Sequence, residues 1–156
     1  MRIKITSSSL KDTEKIGNII AKHAFKGMVI TLNGDLGAGK TTLTKSIGAG
    51  LGIKEEINSP TFNILKCYFN KPLPLYHIDA YRLEGVNEEN LQIGLEEVIE
   101  GDGVAIIERS HFIDQFIPSI HLDINIKTVE NEIREFDVSS NNPKFDALIE
   151  ELKEKM

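Results

Sequence analysis

The segment Gly34-Asp35-Leu36-Gly37-Ala38-Gly39-Lys40-Thr41 satisfies G-x-x-x-x-G-K-[ST] at every specified position, and it constrains the fold more than any other feature of the chain. A loop that wraps a phosphate must turn its backbone N–H groups inward, and glycines permit the close approach and positive φ this requires. The loop has to sit between a strand and a helix, because the helix aims its unsatisfied N–H groups and positive dipole end at the same anion. Both neighbours are present. Met28 to Asn33 is a continuous apolar-rich run of the kind found in buried parallel sheets. A helix is expected from about Lys40 to Leu51, with Gly50 or Gly52 ending it. By chance the pattern should arise in very roughly one chain in two hundred of this length. A glycine-rich turn without function would not require those flanks. Gly37, Ala38, Gly39, Lys40, Thr41 and Thr42 are therefore the candidate ATP-binding residues. Lys40 is placed to reach the β- and γ-phosphates, and the Thr41 hydroxyl to help hold Mg²⁺.

The remaining pattern extends the same architecture. Residues 2–6 alternate as a short strand, and Ser9 is expected to cap a helix from about Leu10 to Phe25, with Asp12 completing a weak capping box. Ile16, Ile19, Ile20 and His23 share one face of that helix. Ser59-Pro60-Thr61 interrupts regular structure. Strands are expected at about 63–69 and 74–79, a helix from Asn87 to Ile99, and a buried strand from Val104 to Ile107. Residues 120–126 and 132–138 alternate around a polar turn, as an antiparallel hairpin does. Asn142 is expected to cap the last helix, with Pro143 at its first position. The order predicts a single α/β domain over residues 1–156: a three-layer P-loop NTPase with a mainly parallel central sheet and a late antiparallel hairpin.

A P-loop also needs an acid at the end of a neighbouring strand to organise metal and water. Asp79 ends Leu75-Tyr76-His77-Ile78, and Glu108 ends Val104-Ala105-Ile106-Ile107. Either alone reads equally well as a solvated loop acid, but two such endings in one chain favour function. His77 shares a strand face with Asp79 and reads as a packed, hydrogen-bonded histidine. Tyr81 and Arg82 are placed to contact phosphate, metal shell or partner, and Arg82 equally well to make a local ion pair. Thr61 lies in a proline-bent loop after the P-loop helix, a place where nucleotide switches often reside.

Charge and composition limit the surroundings. The net charge is −6, with 18 basic residues scattered among 24 acids, whereas a protein that grips nucleic acid alone shows a basic stripe. Any nucleic acid served by this chain is expected to be held by a partner. No apolar run approaches the ~18 residues that span a bilayer, and the N-terminus lacks a signal-peptide core. Cys67, the single cysteine, reads as a buried inert thiol. Together these features predict a cytoplasmic protein with no membrane association.

The ordered set resembles one family. Gly34 through Thr42, then Ser59-Pro60-Thr61-Phe62, then His77-x-Asp79-x-Tyr81-Arg82 look like the signature of the bacterial TsaE (YjeE) family, the ATPase components of the tRNA threonylcarbamoyladenosine modification machinery. Gly94-Leu95-Glu96-Glu97, Glu100-Gly101-Asp102-Gly103 and Ile107-Glu108 match in the expected order, so the similarity spans about Thr13 to Glu108. The resemblance implies an ATPase that works with the two-protein complex transferring a threonylcarbamoyl group to adenosine 37 of tRNAs reading ANN codons, and so meets tRNA indirectly. It implies Mg²⁺ held around Thr41 and Glu108, with Asp79 and Thr61 near the γ-phosphate. The candidate catalytic residues are accordingly Asp79, Glu108 and Thr61, and the candidate metal-holding residues Thr41, Glu108 and Asp79. One departure stands out: Arg109 occupies the position after the glutamate where the family usually has tryptophan.

Two other classes compete. A small-molecule kinase would share the P-loop and Mg²⁺, yet such enzymes clamp donor and acceptor with several arginines. Here there are only Arg2, Arg82, Arg109 and Arg134. A GTP switch would want Asn-Lys-x-Asp, and the nearest match, Pro143-Lys144-Phe145-Asp146, reads better as the start of a capped helix.

Overall fold

The computed structural model describes the chain apart from residue 36, residues 59–64, residues 81–88 and residue 109, and gives the backbone alone for residues 89–93 and 110–112. The elements are β1 (Arg2–Ser7), α1 (Leu10–Lys22), β2 (Val29–Gly34), α2 (Lys40–Leu51), β3 (Leu65–Tyr68), β4 (Leu75–Asp79) and α3 (Glu89–Ile99), followed by β5 (Val104–Glu108). A 3-10 segment (Ser110–Phe116), β6 (Leu122–Glu130), β7 (Ile133–Ser139), a 3-10 turn (Pro143–Phe145) and α4 (Asp146–Lys155) complete the chain.

The seven strands form one sheet in the order β1-β7-β6-β2-β5-β4-β3. Its centre is parallel: β2 pairs with β6 on one side and β5 on the other, and β5 pairs with β4. Both flanks are antiparallel, with β7 on β6, β1 on β7 and β3 on β4. The sheet is therefore mixed rather than mainly parallel. Connection length explains the difference, since parallel neighbours need a long crossover while a short turn suffices for a hairpin. The turns after β3 and β6 are short, and each adds an antiparallel partner.

Strand alternation divides the core into two clusters. Ile30, Leu32, Ile106, Ile124 and Phe136 face α1, α2 and α4, meeting Ile16, Ile20, Leu43, Ile47, Leu148 and Leu152. Val29, Ile78 and Ile107 face the other way, against Leu95 and Ile99 of α3 and Ile113 of the 3-10 segment. Helix on both sides of one sheet is the three-layer arrangement the pattern predicts.

Local chemistry sets the helix ends. Ser9 Oγ accepts from the Asp12 N–H at 3.2 Å, while Asp12 Oδ2 accepts from the N–H and Oγ of Ser8, each at 3.0 Å. The capping box thus closes on Ser8, one residue ahead of the cap. α1 stops at Lys22 rather than continuing to Phe25; His23 caps it and bonds Glu151 of α4 at 3.0 Å through Nε2. Gly52, with φ 92°, ends α2. Asn142 Oδ1 does accept from the Lys144 N–H at 2.9 Å, but it caps the 3-10 turn that leads into α4. Cys67 is half-buried, and burial pushes its thiol pKa up. Among the described residues no helix is long and apolar enough to cross a membrane.

Candidate functional site

The glycine-rich loop begins where β2 meets β6. Gly34 sits in register with Ile126, and a Cβ added there would lie 2.6 Å from the Ile126 carbonyl oxygen, so no larger residue fits without moving the strand. Gly37 and Gly39 have φ of 78° and 105°, a region where side chains are strained. Gly39 is also the residue ahead of α2 and supplies no side-chain cap. The first-turn N–H groups of α2 thus face no acceptor from their own cap, and a helix end in that state favours an anion.

Lys40 opens α2 and is only 8 % exposed. Its Nζ donates to the Gly34 carbonyl at 2.6 Å, folding the ammonium back to the far end of the loop. A buried ammonium needs a partner, and a neutral carbonyl satisfies a donor without cancelling the charge. Thr41 and Thr42 follow, half-buried in the first turn. Further along, the hydroxyls of Thr44 and Ser46 donate back to the carbonyls of Lys40 and Thr42, each at 2.9 Å.

The two candidate acids are the last residues of neighbouring strands. Asp79 of β4 is the register partner of Glu108 of β5, and Glu108 is in turn the partner of Leu32 on β2, two residues before Gly34. Period-two alternation puts His77, Asp79, Ile106 and Glu108 on the face shared with Ile30 and Leu32, which is the face covered by α2. Glu108 is 4 % exposed, and Asp79 is half-buried with interactions of its own. His77, fully buried, brings Nε2 within 2.5 Å of Glu108 Oε2.

The structure thus places Glu108 one strand and Asp79 two strands across from the strand that leads into the loop residues Gly37 to Thr42. The bond from His77 to Glu108 is not readable in the sequence as such. What was legible is that His77 shares a face with Asp79; its diagonal neighbour depends on which strand pairs with β4. Thr61, Tyr81, Arg82 and Arg109 lie outside the described residues. The chain approaches Thr61 through buried Ile57 and through Asn58, whose N–H donates to the Tyr68 hydroxyl at 3.3 Å.

Comparison with known proteins supplies the context. A family model described as "Threonylcarbamoyl adenosine biosynthesis protein TsaE" matches residues 7–136, well past Glu108 and through β6 into β7. A Bacillus subtilis protein named "tRNA threonylcarbamoyladenosine biosynthesis protein TsaE" is 41 % identical over 151 residues, covering 97 % of this chain and 94 % of its own. A Treponema pallidum protein of the same name is 36 % identical over 137 residues, covering 88 % of this chain and 100 % of its own. The crystal structure of YdiB from Bacillus subtilis superimposes with a TM-score of 0.82 at 36 % identity, covering 99 % of this chain and 95 % of that one.

Proposed function

The chain belongs to the TsaE family of threonylcarbamoyl adenosine biosynthesis proteins, and on that premise we propose that it is the ATP-binding and ATP-hydrolysing subunit of threonylcarbamoyl modification of tRNA. The modified base is adenosine 37 of tRNAs reading ANN codons, and the partner is the two-protein transferase complex. The observation that carries this reading is that the glycine-rich loop and two strand-end carboxylates, Asp79 and Glu108, occupy one face of the sheet.

The residues present fit a magnesium-bound nucleotide triphosphate. The left-handed backbone at Gly37 and Gly39 and the uncapped start of α2 suit an oxyanion, and Lys40 holds its charge unneutralised beside them. Among the described residues no three histidines, cysteines, aspartates or glutamates converge as a metal cage. Magnesium is ordinarily held by one or two carboxylates together with substrate phosphates, and Thr41, Glu108 and Asp79 offer that set of hard oxygens. Bound Mg²⁺ would neutralise the charge that develops on the phosphate oxygens during transfer to water.

Each group then has a role. The backbone from Gly37 to Thr42 would wrap the phosphates. Lys40 would exchange the Gly34 carbonyl for phosphate oxygens, and Thr41 and Glu108 would hold the ion. Asp79 would orient water at the γ-phosphate, a task the family resemblance also gives Thr61. With a net charge of −6 the chain reaches tRNA through the complex rather than by its own grip. The test is reconstitution: the purified chain, the other purified components, unmodified tRNA and ATP should together yield modified adenosine. Equal modification when this chain is omitted would refute the assignment.

A further inference from the structure

Among the described residues, His77 is the one buried titratable side chain facing the site that the proposed function leaves without a task. It has no exposure to solvent, its Nε2 lies 2.5 Å from Glu108 Oε2, and its Nδ1 is buried with no hydrogen-bond partner among the described residues. Two strands create the contact. His77 pairs with Ile106 across the parallel ladder, so Glu108, two residues on, is its diagonal neighbour on the same face.

We infer that His77 is a positioning residue: through Nε2 it holds Glu108 Oε2 and so fixes the orientation of the carboxylate at the end of β5. The tie matters because a glutamate has three rotatable bonds, and a carboxylate that must meet an ion within tenths of an ångström gains from having one oxygen already held. The consequence for catalysis rests on the ATPase reading above; the tie itself does not.

The experiment has two arms, both on the full chain. In the nucleotide-free protein, long-range ¹H–¹⁵N correlation reads the His77 ring nitrogens directly. A His77 Nε2 signal that moves in Glu108→Gln is expected, and ring signals unchanged in the folded Glu108→Gln variant overturn the inference. In the second arm, ATP affinity and turnover are measured for His77→Leu and His77→Gln, since a glutamine amide can place a donor close to the position of Nε2. His77→Leu is expected to lower turnover by about 10–100-fold, the usual cost of losing a group that orients a metal-holding side chain, with ATP affinity little changed. His77→Gln should recover most of the loss. Wild-type turnover in folded His77→Leu, or a His77→Gln variant as impaired as His77→Leu, overturns the inference. Should His77→Leu fail to fold, the glutamine variant and the ring signals decide. A wild-type chain with no turnover under any condition contradicts the ATPase reading, and the ring signals still test the tie.

Discussion

Asp79 and Glu108 stand side by side as register partners at the ends of two parallel strands, β4 and β5, and only Glu108 is buried. Adjacent parallel strands lie about 4.8 Å apart, so the two carboxylates stand near enough to share one cation. A divalent cation held by both together with the phosphates would tie the acids to the loop through charge as well as through position.

The first prediction separates the acids. Glu108→Gln and Asp79→Asn each preserve shape while removing charge. Each should keep the fold by circular dichroism and lower ATP hydrolysis by at least about a hundredfold through loss of metal or water organisation. A folded variant with wild-type turnover would show that its acid is a bystander.

Lys40→Ala tests the loop. Its Nζ is bonded to a neutral carbonyl, so the charge is available to a phosphate. Loss of a charge-assisted hydrogen bond of ~1.5–3 kcal/mol should weaken ATP binding by about ten- to a hundredfold. Calorimetric titration giving an unchanged affinity would remove Lys40 from the phosphates.

Much of this was legible in the chain before any fold was known, for a physical reason. The loop, its strand and its helix are local, and Gly34 to Thr41 carry the whole constraint within eight positions. The strand-end positions of Asp79 and Glu108 are likewise local. The pairing of β1 with β7 is not, because Ile3 meets Val138 across the whole chain and nothing in residues 2–6 names that partner. The 3-10 segment Ser110–Phe116 went unforeseen because it breaks its own period, with a non-helical residue at Ile113. The bond from His77 to Glu108 spans 31 positions and exists only because β4 and β5 are neighbours.

A third prediction concerns the contact of α1 with α2. A Cβ added at Gly17 would lie 2.3 Å from Ser46 Cβ and 3.0 Å from the Ile47 nitrogen, neither of which can swing away. Gly17→Ala should therefore destabilise the protein by about 1–3 kcal/mol as an overpacking change. At about 2–4 °C per kcal/mol for a chain of this size, thermal unfolding should report the loss. An unchanged midpoint would mean that the two helices separate at little cost.

Acid sensitivity follows from Glu151. Hydrogen bonds from Lys22 at 2.9 Å, His23 at 3.0 Å and Lys155 at 3.4 Å hold its carboxyl at about 2, against an ordinary value of 4.5. A depressed folded-state value means the stabilisation is complete above the unfolded value and is lost as pH falls through the folded one. The stability gap between wild type and Glu151→Gln should thus be steady above about pH 4.5 and close as pH falls toward about 2. Melting curves across that range check it, and a gap that widens on acidification would contradict the assignment.

The most direct measurement is release of the γ-phosphate from labelled ATP, by the chain alone and with the transferase complex and tRNA. A positioned arginine can be worth 10³–10⁵ in phosphoryl transfer, and beside the candidate acids the sequence offers only Arg82 and Arg109. Each follows an acid that can neutralise it. Slow release to water by the chain alone, rising when the complex is added, is the expected result. Turnover of many per second by the chain alone, unchanged by the complex, or transfer of the label to a small-molecule acceptor instead of water, would contradict it.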